Sequence, residues 1–217
     1  MNKLVFTFSI LACALTGCFG GGSAVQAKAA SMRRVFAPEI PSKPAPRDAR
    51  PVWGTVRLNG FRALAPFDAK TFLYRRGEGE FAADYYNGWI AQPADLIGDL
   101  FARYMEASAV FGRTVDARTA AAADVAVQGI VTRLYLDTSG SRPKAVASLR
   151  LVFTALPPRT KLLALKEATG EAEYEPGKRG AEAGAFSAAL EKAFAALADS
   201  IRKAAETDDL NVTGETR

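Results

Sequence analysis

The stretch from Val146 to Leu156 restricts the fold most sharply. Ala147, Leu149, Leu151, Phe153 and Ala155 fall on one face and Ser148, Arg150 and Thr154 on the other. A period of two with a single apolar face describes a strand that covers a core and leaves its other side wet. Val125 to Leu136, rich in Val, Ile, Tyr and Thr, precedes it across a loop containing Ser139, Gly140 and Pro143. Leu162 to Glu173 follows the Pro157-Pro158-Arg159 turn and becomes more polar, as a strand near a sheet edge does. These three runs predict an antiparallel meander.

Upstream, Val52 to Leu64 opens the folded part, with Val56 and Leu58 alternating against Thr55 and Arg57. Thr71 to Arg75 and Phe81 to Tyr86 predict a hairpin around Gly77-Glu78-Gly79. A helix begins at Gln92-Pro93-Ala94-Asp95, since proline suits the first helical turn, where its missing N–H would have no partner. Leu96, Ile97, Leu100, Phe101, Tyr104 and Met105 form its apolar stripe, and Ser108 to Gly112 ends it. A second helix runs from Ala181 to Ala205 with Phe186, Leu190, Ala193, Phe194, Leu197 and Ile201 on one face. The expected fold is therefore α+β, an antiparallel sheet with two amphipathic helices packed on one face. It occupies residues 52–205 and is followed by a polar tail, 206–217.

The N-terminal region has a different character. Met1-Asn2-Lys3 is a short positive start, and Leu4 to Leu15 is apolar and uncharged. That layout is a secretory signal, and it is too short to span a bilayer. It ends in Leu15-Thr16-Gly17-Cys18, which resembles the lipobox of bacterial lipoproteins. The resemblance implies cleavage after residue 17, a diacylglyceryl group on the Cys18 sulfur and a further acyl chain, such as palmitate, on its amine. Each buried methylene contributes about 0.8 kcal/mol, so several chains on one residue anchor firmly. Phe19 stands where aspartate would imply retention at the inner membrane, so the expected location is the outer membrane, lipid-anchored and facing the periplasm. Residues 18–51 carry glycines, alanines and then Pro38, Pro41, Pro44, Pro46 and Pro51, the composition of a tether. As about 33 flexible residues it would reach about 30 Å. A short strand at 32–36 can dock on the domain.

Composition narrows the chemistry. With Cys13 lost in the signal and Cys18 acylated, no thiol is left for a disulfide. Histidine is absent from all 217 residues, which removes the usual general base and the commonest metal ligand. His triads, Cys nucleophiles and His-ligated zinc therefore lack their residues, while carboxylate-pair or Ser-Lys chemistry remains open. The net charge of +5 is uneven. Residues 19–52 hold Lys28, Arg33, Arg34, Lys43, Arg47 and Arg50 against Glu39 and Asp48, whereas basic and acidic residues balance from Trp53 onward. A balanced domain lacks the basic face that nucleic-acid binding requires. The basic segment suits an anionic membrane surface or a solubilising linker.

The marks from Met32 to Ala205 resemble the ABC-type transport auxiliary lipoprotein family, which includes paraquat-inducible protein C. They are Val56-Arg57-Leu58, Tyr74-Arg75, Tyr85-Tyr86 with Trp89, Pro93 opening a helix through Leu96 and Leu100 to Ser108 and Phe111, Asp124 to Gly129, and the closing alanine-rich helix. Members often carry Ser-Gly where this chain has Ser108-Ala109, and a tryptophan near Ala164. The resemblance implies a non-enzymatic outer-membrane component of an ABC/MCE-type lipid transport system. Its partners would be an MCE-domain protein and an inner-membrane ABC permease and ATPase, with a ring or other homo-oligomer suiting such docking. An outer-membrane assembly lipoprotein, for lipopolysaccharide or barrels, is the alternative, and a carboxylate hydrolase a third reading.

Among individual residues, Tyr85, Tyr86 and Trp89 suit either a partner- or lipid-contacting patch or a core position under the following helix. Arg75 and Arg76 suit lipid phosphates or a solvated strand end. Asp95 and Asp99 favour the positive end of a helix dipole rather than a catalytic pair. Gly77, Gly79 and Gly20 to Gly22 are turn or linker glycines. No metal and no cofactor beyond the lipid on Cys18 is expected. Mass spectrometry of the mature protein should find a chain starting at Cys18 with acyl groups on it, and Cys18→Ser should abolish both.

Overall fold

The computed structural model describes residues 33–41, 44–46, 48–158 and 160–206. Cys18, the signal segment and the tail from 207 lie outside these residues. The elements in chain order are β1 (Arg34–Phe36), β2 (Trp53–Ala63), β3 (Thr71–Gly77), β4 (Glu80–Trp89), α1 (Pro93–Ala107), β5 (Phe111–Asp116), β6 (Val125–Asp137), β7 (Lys144–Thr154), β8 (Leu162–Glu173) and α2 (Ala181–Glu206). The fold is α+β, and both helices follow the expected stretches.

All eight strands among the described residues join one sheet. β6, β7 and β8 form the expected antiparallel meander, with Val131 opposite Leu149 and Leu149 opposite Ala168. The rest of the sheet corrects the antiparallel expectation. β2 lies parallel to both β5 and β6, β3 lies parallel to β6, and β1 lies parallel to β4, so the sheet is mixed. The reason is the long connection after β2. The β3–β4 hairpin and α1 carry the chain away and bring it back, which parallel pairing requires and alternation alone does not reveal. β5 was also missed, because its six residues follow the helix without a clear apolar alternation.

β6 has partners on both sides. β7 runs along one edge, while β2 takes the first half of the other and β3 its end, at Leu136 and Asp137. The sheet therefore forks at β6 into a β2–β5 branch and a β3–β4–β1 branch. Both helices cover the same face. Ile97, Leu100, Phe101 and Met105 of α1 share one buried cluster with Phe186, Leu190, Phe194, Leu197 and Ile201 of α2. The rings of Phe101 and Phe194 stand 5.5 Å apart, edge to face. On the opposite face the β7–β8 ladder is tied by ion pairs, Lys144–Glu171 at 2.6 Å and Arg150–Glu167 at 3.0 Å.

Part of the expected tether is docked. Phe36 stacks on Phe72 at 5.7 Å, Ile40 packs on the core, and the Glu39 N–H donates to Ser187 Oγ of α2 at 3.0 Å. The Ala45 N–H then donates to the Ala107 carbonyl at the end of α1, at 2.8 Å. The described residues of this proline-rich stretch thus run over both helices instead of projecting from them.

Two backbone positions set tolerances. α2 crosses β8 so closely at Gly170 that a Cβ there would lie 1.9 Å from the Ala189 carbonyl oxygen. At the end of α1, Val110 N–H donates to the Met105 carbonyl and Ala109 N–H to Glu106, a Schellman motif. Its left-handed position, φ 52°, is held by Ala109. A Cβ in that region costs about 1–2 kcal/mol. Ala109→Gly should therefore raise the unfolding free energy by about 1 kcal/mol in urea titration. Gly170→Ala should lower it by about 3 kcal/mol, because the obstacle is backbone that cannot step aside.

Candidate interaction surface

In β4, the ladder to β3 loses register between Ala83 and Gly88, where extra residues bulge out. Asp84 builds the bulge. Its Oδ1 accepts from the backbone N–H groups of Tyr86 (2.7 Å) and Asn87 (3.0 Å). Its Oδ2 accepts from Asn87 Nδ2 (2.7 Å) and the Tyr74 hydroxyl (3.1 Å). Burial alone would raise this carboxyl, but the hydrogen bonds from Asn87, Tyr86 and Tyr74 outweigh it and hold Asp84 below its ordinary value. Burial, with the Asp84 charge beside it, pushes the Tyr74 hydroxyl well above its usual range.

The bulge holds Tyr85 81% exposed and Tyr86 47% exposed, their rings edge to face at 5.1 Å. Trp89, three residues on, is 4% exposed and packs edge to face on Phe72 at 4.8 Å. The three aromatics are thus divided: Trp89 is core, packed on Phe186 of α2 at 4.8 Å, whereas Tyr85 and Tyr86 face solvent.

Arg75 and Arg76 are divided too. Arg75 lies on the face away from the helices, donates to the Tyr135 hydroxyl at 3.3 Å and stands 5.8 Å over that ring. It also pairs with Asp137 at 3.8 Å. Burial would raise Asp137, but hydrogen bonds from the hydroxyl and N–H of Ser139, with Arg75 nearby, hold it below its ordinary value. Phe67 and Phe81 flank Tyr135 at 5.9 and 5.6 Å and complete an aromatic cluster there. Arg76, one residue on, projects to the other side and is exposed. Sequence reasoning missed both Asp84 and the Phe67–Phe81–Tyr135 cluster. The signal for the first was the spacing Asp84 to Asn87 inside a strand-like run, which is an Asx-turn pattern.

A groove of about 420 Å³ runs between α1 and the β2–β5 branch, lined by Phe61, Ala94, Gly98 and Thr114 with Asp95, Asp99 and Asp116. Asp116 is paired with Arg118 at 3.3 Å. Among the described residues no set of three His, Cys, Asp or Glu side chains gathers as a metal site, and no helix is long and apolar enough to cross a membrane.

Replacing Asp84 by alanine should cost about 1 kcal/mol, because it leaves the partly buried donors of Tyr74 and Asn87 without their partner. The pH dependence has a definite sign. The folded carboxyl titrates below the unfolded value of about 3.9, so its contribution is present above that pH and disappears as pH falls through the folded value. The stability gap between wild type and Asp84→Asn, measured by denaturant titration, should therefore be widest near neutrality and shrink in acid.

No protein-family model matches the chain, and no curated protein matches its sequence. Solved structures do share its architecture. A crystal structure of a Xanthomonas campestris protein, described under the family-model DUF330, superposes with a TM-score of 0.65 at 20% identity. The match covers 82% of this chain and 98% of that one. A second, described only as an uncharacterized protein, gives a TM-score of 0.56 at 11% identity, covering 74% of this chain and 99% of the other. At these identities the likeness extends to the fold: this chain has the architecture seen in the Xanthomonas campestris DUF330 protein.

Proposed function

We propose that the protein is a non-catalytic docking module, held at the periplasmic side of the outer membrane by acyl chains on Cys18. It would serve an ABC/MCE-type lipid transport system. The observation that carries this reading is the joining of a lipobox-like Leu15-Thr16-Gly17-Cys18 to a domain whose distinctive polar groups hold surfaces in place. Asp84 shapes the tyrosine bulge, and Asp137 with Arg75 fixes the end of β6. Contact surfaces are also available along the sheet: β8 pairs only with β7 among the described residues, and its Leu162 and Leu165 are 62% and 53% exposed.

On this reading the module works by position. The described chain is docked from Arg34 onward. Residues 19–33 then separate the anchor from β1, a span of at most about 50 Å even when fully extended. The domain is thereby kept near one membrane, where it can receive the envelope-spanning part of a transporter. Crosslinking in intact cells, followed by purification of the acylated protein from membranes, should recover an MCE-domain protein together with an ABC permease or ATPase. Recovery of barrel-assembly or lipopolysaccharide-assembly proteins instead would overturn the transport assignment.

A further inference from the structure

We propose that the outer edge of the β1–β4 branch seats directly on an anionic phospholipid bilayer, beside the point where the N-terminal chain joins the domain. Four of the large apolar side chains that the described residues leave exposed gather there: Val35 (49%), Tyr85 (81%), Tyr86 (47%) and Ile90 (59%). Val35 is paired with Gly88, and the Ile90 N–H donates to the Phe36 carbonyl at 2.9 Å, so the aliphatic residues border the tyrosine bulge across two adjacent strands.

Basic residues border them. A guanidinium nitrogen of Arg33 lies 3.0 Å from where a Gly88 Cβ would stand, over the stretch between Tyr86 and Ile90. Arg34 is paired with Asn87, and the Lys70 carbonyl accepts the Trp89 N–H at 2.7 Å. All three basic residues are exposed, and none forms an ion pair among the described residues. Tyrosines with an apolar body and a polar tip settle at the headgroup level of a bilayer, and each nearby basic residue strengthens partition onto anionic lipid about fivefold.

The course of the chain selects the occupant. The described chain begins at Arg33, in the middle of this patch, so an anchor on the N-terminal side would hold the domain from this edge. The proposal rests on the acyl-anchor reading for its geometry, and its chemistry is tested separately.

The acylated full-length protein carrying Tyr85→Trp is placed on phosphatidylcholine vesicles with brominated acyl chains, with and without phosphatidylglycerol, and tryptophan emission is read. Trp53 and Trp89, both buried, supply the background from the wild-type protein. Quenching about twofold above that background, greater with phosphatidylglycerol and lost in Arg33→Glu/Arg34→Glu/Lys70→Glu while the protein still floats with the vesicles, supports the proposal. Quenching equal to background in a protein that floats overturns it and leaves the anchor reading standing. If mass spectrometry finds no acyl group, the anchor reading fails. The patch is then judged by the same quenching with protein added to preformed vesicles, and no excess over background overturns it. Protection of residues 84–90 from hydrogen exchange that grows with protein concentration without lipid would assign the patch to a second copy and likewise overturn it.

Discussion

The fold depends on β6 having two satisfied edges. A strand of 13 residues at the centre of a sheet has donors and acceptors on both sides, and each must find a partner along its length. β7 supplies one whole side. The other is shared by β2 and β3, which diverge past Val131. The chain between them closes the gap: the Leu64 N–H donates to the Val131 carbonyl at 3.0 Å, and Phe67 covers Tyr135. The fork thereby creates the second, smaller apolar cluster of Leu73, Tyr135 and Val146 on the face that the helices leave uncovered.

That arrangement explains where unusual polar chemistry appears. At the fork, Arg75 forms an ion pair with Asp137 beside Tyr135, at the end of the β3–β6 pairing. In β4, Asp84 takes over hydrogen bonding that the interrupted ladder no longer provides. Both carboxylates stand where regular backbone pairing ends, and both are held below their ordinary values by hydrogen-bond donors, Tyr74, Tyr86 and Asn87 for Asp84 and Ser139 for Asp137. Their effect is to make irregular backbone rigid, which is what a surface presented to another body requires.

The legible parts of the chain were those whose neighbours in space are neighbours in sequence. The apolar face of β7 is as expected, with Ala147, Leu149, Leu151 and Phe153 all buried, but its other face is wet only in part: Ser148, expected in solvent, is 1% exposed and hydrogen-bonded to the Thr169 hydroxyl of β8. Both helices, the β3–β4 hairpin and the β6–β7–β8 meander are likewise local. Parallel pairing of β2 was hidden because its partners come after a hairpin and a helix, so no short-range pattern encodes it. The tyrosines illustrate the limit for the surface. Tyr85, Tyr86 and Trp89 look alike as a sequence cluster, yet a carboxylate one residue before Tyr85 separates two of them from the third. An aromatic's fate at a bulge is decided by which backbone groups need a partner, and composition does not record that.

The docked N-terminal strand has a mechanical corollary. β1 lies parallel to β4, and the chain beyond it is held through Glu39 to α2 and through Ala45 to the end of α1. A load applied from the N-terminal side along β1 would meet its bonds to β4 in shear, several resisting together, rather than peeling them one at a time. Further slip would draw on contacts with both helices in turn. A strand of three residues can therefore act as a strain relief, keeping tension on the leash from reaching the core.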